Sequence, residues 1–141
     1  MTVRWWLLGL CALARLAGAC EGLAVNGAWI REAPPGAMVL AGYGELRNEG
    51  ARALRITAVE STQFKHVMLH ETVMEGGKAR MVARDVLLIA PAAQAVLAPG
   101  GLHLMLMHGQ APLAAGQSVD LDFVCGATRT TLRFPVRRAA P

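Results

Sequence analysis

From residue 23 onward the apolar positions of this chain tend to recur at every second residue, in runs broken by Pro, Gly and Asn. That period belongs to strands, whose side chains alternate between two faces. Leu23 to Ala33 is the first extended stretch, closed by Pro34-Pro35-Gly36 because neither proline can donate to a ladder. Met38 to Arg47 follows, with a turn at Asn48-Glu49-Gly50. Ala53 to Ser61 reads as one strand, with Leu54, Ile56 and Ala58 alternating against Arg55 and Thr57. Lys65 to Met74 and Lys78 to Ala83 flank Glu75-Gly76-Gly77, a hairpin signal. Val86 to Ile89 and Gln94 to Leu97 are shorter, and Pro99-Gly100-Gly101 turns the chain into Leu102 to Met107. After a loop over Gly109 to Gly116, Ser118 to Cys125 and Thr128 to Val136 close around Gly126-Ala127. There is no sustained helical period, no internal repeat and no linker. The expectation is an all-β protein, a β-sandwich or barrel of about seven to nine short strands, in one domain spanning 20–141.

Two of these stretches carry unusual polar faces. In Leu102-His103-Leu104-Met105-Leu106-Met107 the leucines share one face, and His103, Met105 and Met107 share the other. In His66-Val67-Met68-Leu69-His70, Val67 and Leu69 point inward while His66, Met68 and His70 face the opposite way. The hairpin brings in Met81. A turn centred on Glu75-Gly76 sets Met81 directly across from His70, and one centred on Gly76-Gly77 makes it a diagonal neighbour on the same face. A three-residue loop would separate them, so the inference depends on register. A methionine left outside a core forgoes about 1.5–3 kcal/mol of burial. Several of them beside histidines therefore call for a ligand. Two imidazoles and two thioethers form a soft, uncharged donor set, and thioether sulfur selects Cu(I) over Zn, Mg or Ca.

The N-terminus changes the picture of compartment and charge. Arg4 supplies a positive start, Trp5 to Leu16 a short apolar stretch interrupted by Arg15, and Ala17-Gly18-Ala19 a small-residue cleavage site. Residues 1–19 thus read as a secretory signal peptide, too short to span a bilayer comfortably. Removing Arg4 and Arg15 from 14 basic residues leaves 12 against 10 acidic ones, a net charge of +2. The remaining arginines are scattered apart from Arg137-Arg138, so no nucleic-acid footprint is expected. Cleavage would leave Cys20 first. Leu16-Ala17-Gly18-Ala19 fits a lipobox imperfectly, because the leucine sits one place too early, which favours a soluble exported protein over a lipid-anchored one. Cys20 and Cys125 then face an oxidising compartment. Two readings stay open: a disulfide between them, or a lipidated Cys20 with a buried free Cys125.

Ten residues separate His70 from Met81, twenty-one separate Met81 from His103, and one separates His103 from Met105. With this spacing the chain resembles the PCuAC-type periplasmic copper chaperones. The flanks match as well: Ala28-Trp29-Ile30-Arg31 before Pro34-Pro35-Gly36, Leu69-His70-Glu71-Thr72-Val73-Met74-Glu75, and Pro99-Gly100-Gly101 through Met107. The resemblance covers about residues 25 to 136. It implies a cupredoxin-like or immunoglobulin-like β-sandwich that binds Cu(I) through His70, Met81, His103 and Met105. It also implies delivery of copper to an oxidase subunit or assembly factor, commonly the CuA centre of cytochrome c oxidase; a monomer is expected. Three features depart from the pattern. His66 and Met68 add auxiliary donors beside His70 that could form a second or Cu(II)-capable site, Cys125 is unexpected in the penultimate strand, and the chain closes in Arg137-Arg138-Ala139-Ala140-Pro141 rather than in the His/Met-rich tail of some members.

Rival functions make different demands. A blue-copper site needs a Cys thiolate with two His, and no His follows Cys125. A non-metal extracytoplasmic binding module of sandwich fold is compatible with the strand pattern alone. An enzyme is not expected: no Ser/His/Asp pattern or Gly-rich phosphate loop stands out, and Asp85, Asp120 and Asp122 read as turn and solvent-face residues.

Overall fold

A computed structural model describes residues 20–141. The expected signal peptide, 1–19, lies outside the described residues. Every regular element among them is a strand: β1 (Leu23–Arg31), β2 (Val39–Asn48), β3 (Leu54–Ile56), β4 (Ala58–Glu60), β5 (Phe64–Glu75), β6 (Lys78–Ala83), β7 (Leu87–Ile89), β8 (Gln94–Leu97), β9 (Leu102–Gly109), β10 (Ser118–Cys125) and β11 (Thr128–Arg137). The all-β expectation holds. The expected seven to nine strands become eleven, and the architecture is more closed than two facing sheets. Nine strands form one sheet in the order β4-β10-β11-β1-β2-β8-β9-β5-β6, and β4 also pairs with β5 through Val59 and Val67. Because β4 pairs with β5 as well as with β10, the hydrogen bonds run in a ring that removes most free edges, and β2 pairs with β9 as well as with β8. Along β2, β9 takes Val39 to Gly42 and β8 takes Gly44 to Arg47. β3 and β7 form a separate two-stranded sheet.

The inward-facing side chains make one core. Ile30, Leu46, Leu104, Leu106, Val119, Leu121 and Phe134 are fully buried in it, and Phe123 stacks on Phe134 at 6.3 Å between ring centroids. Cys20 and Cys125 are bonded as a disulfide within this core. The bridge decides between the two readings left open by the sequence: neither thiol is free.

The stretch Ala53 to Ser61 is not one strand. It breaks at Thr57, whose backbone N–H and hydroxyl both donate to the Val124 carbonyl. The break reverses the alternation, so Leu54 and Ile56 are buried, Ala58 is exposed and Val59 is buried. β3 therefore joins β7, and β4 joins β10.

A bulge does something similar in β1. The pairing with β2 shifts by one residue between Asn26 and Trp29, where Gly27 takes a φ of 56° that suits glycine. Before the bulge Leu23 and Val25 face the core, and after it Ala28 and Ile30 do. Trp29 is thereby moved to the outer face of the sheet, where its ring meets Tyr43 at 5.0 Å.

Candidate metal centre

The hairpin turn between β5 and β6 is centred on Gly76-Gly77, both at positive φ (58° and 76°), as a two-residue type I′ turn requires. Its register pairs Thr72 with Met81 and His70 with Ala83. Met81 is thus the diagonal neighbour of His70 on the same face, the second of the two registers that the sequence allowed. The strands carrying the two polar faces are themselves neighbours. β5 and β9 run antiparallel, pairing His70 with His103, Met68 with Met105 and His66 with Met107. All six side chains lie opposite Val67, Leu69, Leu104 and Leu106, which are packed in or against the core.

His70 and His103 face each other across one rung, with ring centroids 6.2 Å apart. His103 is only 5% exposed, yet it does not belong to the core cluster. With Met81 and Met105 it lines a cavity of about 240 Å³, whose other walls include Tyr43, Thr72 and Pro99. Three of the four sequence-predicted ligands share this cavity, and the fourth, His70, sits on the adjoining strand opposite His103. No carboxylate lines the cavity. The nearest acidic neighbour in sequence, Glu71, is held by Arg84 at 2.6 Å.

The imidazoles are prepared in different ways. Nδ1 of His103 lies 2.9 Å from the Gly101 carbonyl, which also accepts the Thr72 backbone N–H. A carbonyl can only accept, so Nδ1 carries the proton and Nε2 keeps its lone pair. This is the usual way a metal-binding histidine is oriented. In His70 both ring nitrogens are buried and neither has a hydrogen-bond partner. Leaving a buried polar atom unpaired costs about 1–3 kcal/mol. Native structures seldom tolerate this without a bound ligand or a functional reason.

Burial pushes the His70 pKa below its ordinary value of 6.5, and the neighbouring His103 pushes it further the same way. The sign follows from desolvation, which penalises the charged imidazolium. Below pH 6.5 the unfolded chain binds this proton more readily than the folded one. The contribution to stability is therefore complete above that value and is lost as pH falls toward the depressed folded pKa. The predicted observation is an NMR titration of the metal-free protein in which the His70 ring protonates at a lower pH than a free histidine. A midpoint at or above 6.5 would contradict the buried, unpartnered geometry.

Methionine placement is the second anomaly. None of the buried core hydrophobics is a methionine. Met38, Met68, Met74 and Met81 are exposed, Met81 by 59%, and Met105 and Met107 are half-buried. Among the described residues no three of His, Cys, Asp and Glu come together as a metal site, so a metal here needs the thioethers. Cys125 is in the bridge, so it offers no thiolate for a blue-copper set.

The family profile described as "Putative lipoprotein LpqE-like" matches residues 23–136, nearly all of the described chain. The chain belongs to the LpqE-like family. A relative from Leifsonia xyli subsp. xyli, described as a "putative lipoprotein", is 37% identical over 147 residues, covering 96% of this chain and 87% of its own. Among solved structures, a copper-bound PCuAC domain from PmoF2 superposes with a TM-score of 0.67 at 22% identity, over 85% of this chain and 94% of that one. Apo-DR1885 from Deinococcus radiodurans superposes with a TM-score of 0.63 at 25% identity, over 99% and 95%. This LpqE-like chain therefore has the PCuAC fold, and the resemblance drawn from its spacing holds.

Sequence reasoning missed three residues. Tyr43, on the outer face of β2, lines the cavity, and Trp29 packs against it only because of the β1 bulge, whose one local signal is Gly27. His108 stands beside His66, with ring centroids 6.2 Å apart, although strand alternation assigns it to the inner face.

Proposed function

We propose that the protein is a Cu(I) metallochaperone acting outside the cytoplasm, with His70, Met81, His103 and Met105 as ligands. The observation that carries this reading is the pair of buried, unpartnered nitrogens of His70 facing His103, whose own free nitrogen is Nε2. A soft monovalent ion would take the one lone pair of the neutral His70 ring together with that of His103 Nε2, and the thioethers of Met81 and Met105 select it. The copper-bound PCuAC domain from PmoF2 and the Cu(I)-bound form of DR1885, 24% identical to this chain, support copper as the cargo. Neutral ligands hold such an ion less tightly than thiolates would, and they survive an oxidising compartment. Met81, the most exposed of the four, is the first that an acceptor's ligand would replace. The acceptor we propose is a respiratory oxidase subunit or its assembly factor, with the CuA centre of cytochrome c oxidase as the destination.

The same reading covers the rest of the chain. Residues 1–19 direct export, and 20–141 form the working domain, a cupredoxin-like barrel acting as a monomer in the periplasm. Its sulfur being bonded to Cys125, Cys20 has no thiol for a lipid, and attachment to a membrane there would require the bridge to be open. X-ray absorption on the protein loaded with one equivalent of Cu(I) is expected to give nitrogen and sulfur neighbours in equal number. A shell of nitrogen and oxygen alone would remove the assignment.

A further inference from the structure

The chain has four histidines, and they fall into two pairs. His70 and His103 form the first. His66 and His108 form the second, at the same centroid separation of 6.2 Å and with ring planes 83° apart. We infer that His66, His108 and Met107 form a second soft-metal site, a three-donor set for Cu(I) at the other end of the β5–β9 ladder. This rests on the same metal chemistry as the proposed function but on different residues.

Register supplies two of the donors. His66 is paired with Met107 across the outer face, at a Cβ separation of about 4.5–5.5 Å. Backbone distortion supplies the third. Continued alternation would send His108 inward behind Leu104 and Leu106. Instead its φ is 55°, a conformation uncommon for a residue with a Cβ, and its ring lies exposed against His66. The backbone N–H of His108 donates to the Met38 carbonyl at 2.9 Å, which holds the distorted strand end in place. Strain of this kind, about 1–3 kcal/mol, collects at binding sites.

The separation of the rings puts a shared ion within reach, near the upper limit. With metal–nitrogen bonds of about 2.0 Å, two imidazoles on one ion have centroids at most about 6.4 Å apart. The thioether gives the set its preference for Cu(I), since imidazoles alone would suit zinc equally. His66 and His70 are four residues apart on β5, about 13 Å at strand rise. The two sites are therefore distinct, and the Met68–Met105 rung lies between them.

The test is an anaerobic titration of the metal-free protein with Cu(I), followed through the ring resonances of all four histidines. The expected result is two equivalents bound, one shifting His70 and His103 and the other shifting His66 and His108. The double variant His66→Ala/His108→Ala changes exposed positions and is expected to bind one equivalent, at the first pair only. Saturation of the parent at one equivalent with His66 and His108 unmoved overturns the second site and leaves the proposed function standing. Two equivalents retained by the double variant also overturn it. Shifts confined to His66 and His108 would sustain the second site and defeat the ligand set proposed for the first.

Discussion

His103→Ala is expected to weaken Cu(I) binding by at least about 100-fold. Even a partner that only orients a metal-binding histidine is typically worth 10–100-fold in affinity, so a direct ligand should exceed that range. A hundredfold is about 2.7 kcal/mol. The substitution also removes the Nδ1 bond to the Gly101 carbonyl, a loss of about 1 kcal/mol in stability. Met81→Ala separates the two effects. Its side chain is 59% exposed and takes no part in the core, so the fold should be unchanged while affinity falls. Competition against a chromophoric Cu(I) chelator, with thermal unfolding as the control, reads both. Parental affinity in both variants would mean that the cavity does not hold the metal.

The second large effect lies away from the cavity. Cys20→Ala/Cys125→Ala is expected to cost about 2–5 kcal/mol of folding stability, which for a domain of this size is a large share of the total. The bridge joins residues 105 apart in sequence, close to the 100-residue loop for which loop entropy alone gives about 4.7 kcal/mol. It ties the segment before β1 to the end of β10, beside the Thr128 hydroxyl that accepts the Cys20 backbone N–H. Alanine rather than serine avoids burying an unpaired hydroxyl. Denaturant unfolding of the parent with and without reductant should reproduce the same difference. A loss below about 1 kcal/mol would mean that the chain is restrained without the bridge.

Much of the candidate metal centre was legible because a strand has a period of two. Leucine at every other position of β9 assigns His103 and Met105 to the outer face without reference to any partner. The Gly76-Gly77 turn restricts Met81 to a position on the same face as His70. Neighbourhood was not legible: nothing local says that β5 lies beside β9, because pairing between distant strands is decided by the whole sheet. Phase slips were also hidden. Thr57 and the Gly27 bulge each reverse an alternation that looks continuous in sequence, so Ala58 was assigned inward and Trp29 received no place near the site. Splitting the apparent strand at Thr57 takes the ten stretches read from the sequence to the eleven observed. His108 was overlooked because a positive φ at a histidine leaves no trace in composition.

The bulge has a practical consequence. Trp5 and Trp6 lie in the first nineteen residues, so Trp29 is the sole indole of residues 20–141. It rests on Tyr43, one ring away from the space the ion would enter. Ultraviolet emission from the unlabelled protein should therefore change as cargo is taken up and given away, so that handover to an acceptor can be followed in real time without a dye.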